Sequence, residues 1–164
     1  MMVARIKRVR STHFLITLKD KYKYMFNYPV LVAAGIIKRQ PGSDTQVLIT
    51  RRFPGDKQAA GLWEFPGGKV EYMEHPECAL LREIKEELNI DVEIETFFKL
   101  SSYVYDTDGG KVHIVLLAYL CRYKSGALEN LGCADSAWIY PPEIRDYEFA
   151  PADVEIVEKI MEGI

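Results

Sequence analysis

The chain has 164 residues, of which 48% are hydrophobic, and it carries a formal net charge of −3. This length and composition predict one domain with one substantial hydrophobic core. The apolar runs fall short of the roughly 18 to 20 residues that span a bilayer, so they argue against a membrane-spanning helix and favour buried strands.

The first 28 residues are basic, with seven lysines and arginines against Asp20 alone. FLITL, the only apolar stretch among them, is too short for a secretory signal, so a cytoplasmic location is expected. After a KDK turn, aromatic residues alternate with Lys, Met and Asn in KYKYMFNY, which predicts a half-buried hairpin arm over residues 1–28. Its lysines suit an edge strand or a homodimer contact, and lysines between aromatic rings also suit RNA binding.

The rest of the chain is acidic, with twenty-three aspartates and glutamates against fourteen basic residues. Nucleic acid usually requires a broad positive face, so this balance argues against a nucleic-acid partner and favours bound divalent cations. The three cysteines form no C-x-x-C pair and have no histidine cluster beside them, which predicts reduced thiols and no zinc site.

Two strands and a helix are predicted in the first half of this acidic body. VLVAAGIIKR and QVLITRRF flank a QPGSD turn, and the first is apolar enough to lie centrally in a sheet. The helix follows GLWEFPGG. Pro76 suits its first position, and Asn89 suits the left-handed residue that often follows a helix end. Leu80, Ile84 and Leu88 recur every four residues and predict its buried face.

The second half predicts three more strands and a final helix. VEIETFFKLSSYVYD and KVHIVLLAYLCRY are strand-like, with longer loops expected near residues 105–111 and 124–136. AWIYP predicts a short strand, and ADVEIVEKIMEGI predicts an amphipathic helix. No internal repeat interrupts this order.

Glutamates crowd the predicted central helix. Glu83, Glu86 and Glu87 stand at i, i+3 and i+4, which places them on one stripe. Their repulsion costs about 0.2–0.5 kcal/mol per pair unless a cation neutralises it. Mg²⁺ binds carboxylates and substrate phosphates, so a glutamate stripe beside a glycine-rich turn suits a diphosphate site. The alternative is a solvated acidic face held by Arg82 and Lys85.

The spacing of residues around this helix favours the diphosphate site over a solvated acidic face. From Gly68 the chain has five residues, Glu74, seven residues, and then REIKEELNI. This closely resembles the Nudix box, G-x5-E-x7-R-E-u-x-E-E-x-G-u, in which u is aliphatic. Asn89 replaces the final glycine of the pattern, and because Asn tolerates positive φ the turn is expected to survive. ITRR, GLWEFPGGKVE and EFAPAD extend the resemblance to the MutT-like branch over about residues 29–160.

The resemblance implies an α/β Nudix fold, a mixed β-sheet sandwiched between helices, over residues 29–164, with the arm as an addition. It also implies metal-dependent attack of water on an internal phosphorus, with Mg²⁺ as cofactor and Mn²⁺ able to substitute. A nucleoside triphosphate would yield the monophosphate and pyrophosphate. ADP-ribose or a nucleotide sugar is the nearest alternative substrate, and a non-catalytic nucleotide- or RNA-binding module is the alternative of another class.

Roles for individual residues follow from the same resemblance. Arg82 and Glu74 are expected to orient the carboxylates, and Glu83 is a ligand or the base that orients water. The implied metal ligands are the Gly67 carbonyl, Glu83, Glu86 and Glu87.

A further acidic ligand is expected in the loop before Trp138. Asp135 is the preferred candidate and Glu129 the second, with a solvated loop acid as the alternative. Lys57 suits either a phosphate contact or an exposed lysine.

Substrate binding is assigned by resemblance to Arg52, Phe65 and Asp153 around the base, together with Gly68 and Lys69. A carboxylate accepts hydrogen bonds from amino groups, so Asp153 favours cytosine nucleotides or an amino-bearing purine, including oxidised guanine. Asp153 also precedes a helical pattern, and capping of that helix is the structural alternative.

Overall fold

Apolar runs between residues 30 and 139 form the strands of one mixed sheet in the computed structural model, which describes residues 28–164. The predicted arm lies outside the described residues, apart from Tyr28, and its hairpin stays a prediction. The strands are β1 (Val30–Arg39), β2 (Gln46–Arg51), β3 (Trp63–Glu64), β4 (Gly67–Lys69), β5 (Ile90–Thr107), β6 (Gly110–Gly126) and β7 (Asp135–Ile139). The helices are α1 (Pro76–Leu88) and α2 (Val154–Met161), with 3-10 turns at Pro141–Asp146 and Pro151–Asp153.

The sheet has the order β3-β2-β1-β6-β5, while β4 pairs with β1 and β7 pairs with β2. β1 and β6 run parallel, with Val30 opposite Ile114, and the other described pairs are antiparallel. The parallel pair requires a long crossover, and α1 lies within it. The predicted central position of β1 is confirmed.

One face of the sheet is covered by α1. Leu80, Ile84 and Leu88 are buried there against Ala33 and Ile37, as the four-residue spacing predicts. Burial of each large aliphatic side chain contributes about 1.5–3 kcal/mol, so this stripe is what holds the glutamate-bearing helix in place.

The opposite face is covered by α2. Ile156 and Ile160 are buried against Ile36 and Val47 of the sheet. Helices therefore lie on both faces of a mixed sheet, and the predicted α/β sandwich is confirmed.

The ends of α1 follow its sequence signals. Pro76 is the first helical residue, and the His75 ring nitrogen caps the helix by accepting the Glu77 N–H at 3.4 Å. At the other end Asn89 has φ of 54°, and its N–H donates to the Lys85 carbonyl at 3.1 Å. The Asn that replaces the glycine of the box therefore adopts the left-handed conformation that the turn requires.

Several boundaries differ from the sequence prediction, and two differences are the clearest. The expected loop at 105–111 is a two-residue turn, because β5 and β6 stay paired as far as Thr107 opposite Gly110. The final helix is shorter than ADVEIVEKIMEGI, since Pro151–Asp153 form a 3-10 turn before α2. Among the described residues no helix has both the length and the apolar character needed to cross a membrane.

Met73, in the turn between β4 and α1, has φ of 66° and a side chain that is 90% exposed. A non-glycine residue in this region costs about 1–2 kcal/mol, and the exposed side chain offers no packing in return. Met73→Gly is therefore expected to raise the free energy of unfolding by up to about 1 kcal/mol after the entropy cost of glycine. Urea unfolding measures this, with Met73→Ala as the control that removes the side chain but keeps the strain. Equal effects of the two substitutions would contradict the strain argument.

Candidate active site

Carboxylates from separate segments face one open cavity of about 420 Å³. Glu83 and Glu87 come from α1, Glu64 from β3 and Glu71 from the turn after β4. β4 reaches the helix because it pairs with β1 in the middle of the sheet. The predicted site residues that line this cavity are Arg52, Phe65, Gly67, Gly68, Lys69, Glu83, Glu87 and Asp153.

Arg82 binds three glutamates beside the cavity. Its Nε and Nη2 donate to the two oxygens of Glu74, both at 2.9 Å, which is the bidentate geometry that fixes a carboxylate best. Its Nη1 donates to Glu83 at 2.8 Å and to Glu86 at 3.3 Å. The Arg82 hydrogen bonds, followed by the Glu71 backbone N–H, lower the pKa of Glu74 to about 2. This geometry supports an orienting role for Arg82 and Glu74.

The surroundings of Glu87 disfavour its ionised form. Burial, then the charges of Glu83 and Glu64, raise its pKa to about 7, while Arg52 opposes them. A divalent cation would offset both the desolvation and the repulsion, because it adds positive charge beside the carboxylate.

Two glycines of β4 allow this strand to lie close to its neighbours. Gly67 has φ of 153°, and a Cβ there would stand 2.1 Å from the Ala33 carbonyl oxygen of β1. A Cβ on Gly68 would stand 2.3 Å from the Glu83 carboxyl carbon. β4 can therefore approach both the sheet and Glu83 only because it carries no side chain at these two positions.

The donor set suits a hard divalent cation, since carboxylate and carbonyl oxygens are the ligands that Mg²⁺ prefers. Within residues 28–164, however, no three His, Cys, Asp or Glu side chains converge closely enough to enclose a metal ion. Arg82 Nη1 holds both Glu83 and Glu86 in ion pairs, so these two carboxylates already share one positive charge. Mg²⁺ retains several waters and shares substrate phosphates, so a partial protein shell of this kind is compatible with binding.

The two acids expected before Trp138 lie elsewhere. Asp135 is exposed at the start of β7, and its Oδ1 accepts the Ser136 N–H at 2.8 Å. Glu129 accepts the Asn89 side-chain amide at 2.6 Å. Neither side chain is among those that line the cavity. Asp135 as a metal ligand stays a prediction without geometric support.

Arg52 is held by protein groups on three sides. Its Nη1 donates to Glu64 at 2.8 Å, its Nη2 pairs with Asp56 at 2.9 Å, and its Nε donates to the Gln58 carbonyl at 3.0 Å. It therefore closes the loop of residues 53–61 against β3 and forms a wall of the cavity.

Asp153 is buried, with 4% of its surface exposed, and it lines the cavity. Its Oδ1 accepts the Phe65 N–H at 3.1 Å, which ties the end of the chain to the segment before β4. It makes no capping hydrogen bond to α2, so the capping alternative is not what the structure shows. The Tyr105 hydroxyl, in the same wall, accepts the Ala152 N–H at 3.3 Å.

The burial of Asp153 predicts a pH-dependent stability. Burial and then the Glu64 charge raise the pKa of Asp153 well above its ordinary value. A raised native pKa favours the protonated acid, so its contribution is full below the unfolded pKa of about 3.9 and is lost as pH rises through the native pKa. Asp153→Asn stays neutral and keeps an acceptor for Phe65. It should therefore gain stability over the wild type with rising pH, by at most about 1.4 kcal/mol per pH unit.

Urea unfolding at pH 5 and pH 8 measures this difference, with Asp108→Asn in the exposed β5–β6 turn as the control for the amide itself. A wild-type-to-variant difference that is the same at both pH values would contradict the assignment.

Comparison with known proteins identifies the family to which this chain belongs. A model of the NUDIX domain matches residues 29–161. The chain belongs to the NUDIX domain family. It is a Nudix hydrolase, as the match to the Nudix box predicts, and members of the family generally use divalent metal ions.

Relatives of this Nudix chain include the CTP pyrophosphohydrolase of Escherichia coli (strain K12), 35% identical over 130 residues that cover 79% of this chain and 90% of that protein. The 8-oxo-dGTP diphosphatase of Haemophilus influenzae is 31% identical over 132 residues, covering 80% and 91%. A MutT NUDIX hydrolase from Burkholderia pseudomallei has a similar structure, with a TM-score of 0.66, 26% identity and coverage of 81% and 98%. The MutT-like branch is confirmed.

Several residues of the Nudix cavity were missed from the sequence, among them three polar ones. Glu64, Asp56 and Tyr105 line it, and the first two pair with Arg52. An acid inside the otherwise apolar stretch GLWEFPGG was a usable signal for Glu64, because buried acids require a partner. Asp56 and Tyr105 carried no comparable signal, since their roles depend on loop and strand packing.

Proposed function

We propose that this Nudix hydrolase converts a nucleoside triphosphate to the monophosphate and pyrophosphate, with Mg²⁺ as cofactor and Mn²⁺ able to substitute, in the cytoplasm. The observation that carries the proposal is a single cavity that joins Glu83 and Glu87 at one wall to the buried Asp153 at another. Such a cavity supports an arrangement in which the phosphate chain lies at the glutamates and the base reaches Asp153. The named activities of the two relatives, on CTP and on 8-oxo-dGTP, support this substrate class.

The hydrolytic step is assigned to the wall of the cavity that carries the glutamates. A bound divalent cation supplies positive charge to the phosphoryl oxygens and makes water more acidic. Glu83, whose orientation Arg82 fixes, accepts the proton of the attacking water or orients that water. Glu86 and Glu87 with the Gly67 carbonyl are proposed as ligands, and the Gly68 backbone leaves room for phosphate beside Glu83.

Base selection is assigned to Asp153. Its Oδ1 is occupied by the Phe65 N–H, so Oδ2 is left for the substrate. An amino group that donates to this oxygen favours the ionised form, against the burial that raises the pKa of Asp153, so the site favours cytosine or an amino-bearing purine such as oxidised guanine over uracil or thymine. Arg52 bonds Glu64, Asp56 and Gln58, which supports a role in shaping the pocket beside its predicted role in substrate binding.

Product analysis tests the function. The protein is incubated with Mg²⁺ and CTP, dCTP, 8-oxo-dGTP, dGTP or ADP-ribose, beside a Glu86→Gln control, and the products are separated by ion-exchange chromatography. Monophosphate and pyrophosphate from a triphosphate, absent in the control, support the proposal. Turnover of ADP-ribose alone would keep the Nudix chemistry and overturn the triphosphate pocket. No turnover of any nucleotide would favour a binding module.

The arm of residues 1–28 is proposed as a homodimer contact attached to the Nudix domain of residues 29–164. Leu31, Leu100 and Val104 are 42%, 53% and 43% exposed, and Leu31 stands three residues after the arm ends. An apolar patch at this point offers a surface for a second copy. Light scattering of the full chain and of a variant without residues 1–27 tests the contact: a dimer that becomes a monomer supports it, and a monomer in both contradicts it.

A further inference from the structure

The loop of residues 127–134, between β6 and β7, closes the C-terminal end of α1. The backbone N–H groups of Leu131 and Gly132 both donate to the Glu87 carbonyl, at 2.9 and 3.0 Å, and the Glu129 N–H donates to the Leu88 carbonyl at 3.1 Å. Helix ends leave carbonyls without partners, and here a loop about forty residues further along the chain satisfies two of them. The loop is thereby held against Glu87, whose carboxylate is half-buried.

Gly132 lies directly on the Glu87 side chain. A Cβ at this position would stand 2.4 Å from Glu87 Cγ and 2.7 Å from its Cβ, distances that no real Cβ tolerates. The φ of Gly132 is outside the left-handed region, so its backbone conformation is open to other residues. The need for glycine here comes from Glu87 and not from the loop.

Asn89 anchors the same loop. Its side-chain amide donates to Glu129 Oε1 at 2.6 Å, while its backbone keeps the left-handed conformation of the helix end. A glycine, the residue of the Nudix box at this position, has no side chain with which to make that bond. The departure from the pattern therefore adds a link between α1 and the loop.

We propose that Gly132 is a positioning residue for Glu87, and that the Asn89–Glu129 hydrogen bond holds Gly132 in place. Gly132 and Glu87 both line the cavity, so the loop forms a wall that keeps the Glu87 carboxylate directed toward bound metal. Holding a ligand in one rotamer before the metal arrives lowers the entropy cost of binding. This inference rests on the proposed metal-dependent function.

The direct test is Mn²⁺ binding by the full chain without nucleotide. The concentration of free Mn²⁺ is measured by electron paramagnetic resonance. Gly132→Ala is expected to weaken Mn²⁺ binding by about 10- to 100-fold, the range typical of groups that orient metal ligands. The matched control is Gly109→Ala in the β5–β6 turn, where a Cβ meets only an ordinary contact at 3.8 Å, and its Mn²⁺ affinity should equal that of the wild type.

A double substitution separates positioning from general damage. If Gly132 acts through Glu87, then Gly132→Ala should have no further effect on Mn²⁺ affinity in a Glu87→Gln background. Equal losses in both backgrounds, or wild-type affinity of Gly132→Ala alone, would overturn the proposal while leaving the proposed function intact. Absence of Mn²⁺ binding by the wild type would overturn both.

Glu129 supplies a second, independent test. Glu129→Gln keeps an oxygen that accepts from Asn89, whereas Glu129→Ala removes it. An anchoring role predicts near wild-type Mn²⁺ affinity for Glu129→Gln and a loss of a few-fold for Glu129→Ala. Weakened binding by Glu129→Gln would instead make Glu129 a metal ligand and overturn its assignment as an anchor.

Discussion

Glu87→Gln is expected to slow turnover of the best triphosphate substrate by at least about 100-fold, with little loss of folding stability. Glu87 is proposed to hold a metal ion, and such an ion stabilises the developing phosphoryl charge by several kcal/mol. Each 1.4 kcal/mol corresponds to a tenfold change in rate. The amide keeps the shape of the side chain and removes a carboxylate that burial and the charges of Glu83 and Glu64 destabilise. Steady-state kinetics at saturating Mg²⁺ and urea unfolding measure the two effects.

Glu77→Gln is the matched control on the same helix. Glu77 lies in the first turn of α1, about two to three turns before Glu83 and Glu87, and does not line the cavity. Its substitution should leave kcat unchanged and cost only the few tenths of a kcal/mol that an acid contributes near a helix N-terminus. Equal rate losses for Glu77→Gln and Glu87→Gln would show that the total charge of the helix matters, and not the position of Glu87.

Gly67→Ala is expected to have the largest effect on stability, a loss of about 3 kcal/mol or more. The backbone conformation of Gly67 costs other residues about 1–3 kcal/mol, and its new Cβ would meet the Ala33 carbonyl oxygen at 2.1 Å. That oxygen belongs to the central strand β1, which cannot move without disturbing its pairing with β6. Urea unfolding of the purified variant measures the loss.

Gly68→Ala separates stability from catalysis. Its Cβ would meet the Glu83 carboxyl group, which is the end of a movable side chain. We expect a smaller loss of stability than for Gly67→Ala, and a large loss of turnover because Glu83 must move away from its Arg82 hydrogen bond. Equal destabilisation by the two substitutions would contradict the distinction between a backbone and a side-chain neighbour.

Local features of α1 were predictable because each depends on nearby residues. Pro76 begins α1, Asn89 ends it with a left-handed backbone, and the stripe of Leu80, Ile84 and Leu88 is buried. These features follow from backbone sterics and helical periodicity, which act over a few residues. The same reasoning identified β1 as a central strand from its continuous apolar sequence.

The pairing of distant segments was not predictable from local pattern. β1 lies beside β6, which begins 80 residues later, and nothing in either strand specifies the parallel register of Val30 with Ile114. The role of Asp153 was likewise ambiguous, since an acid at this position before a helix is able to cap the helix or to recognise a base. Its bond to the Phe65 N–H exists only because the fold brings residues 88 positions apart into contact.

Some site assignments failed to gain support for the same reason. Asp135 was chosen because it lies three residues before Trp138. In the structure its carboxylate accepts the N–H of the next residue, Ser136, and it does not line the cavity. Glu64 reaches the cavity through the pairing of β3 with β2, where Thr50 stands opposite it. Which acid enters a pocket depends on strand register, because a shift of one residue turns a side chain to the other face.

The distribution of the three thiols allows α1 to be labelled selectively. Cys78 is exposed on α1, whereas Cys121 and Cys133 are buried, and burial raises their pKa values to about 12 and about 11. The thiolate is the form that attacks alkylating reagents, so the native chain presents a single site for a fluorophore or spin label, about two turns of helix before Glu86. Labelled protein would report on the helix during each catalytic cycle without any engineered cysteine.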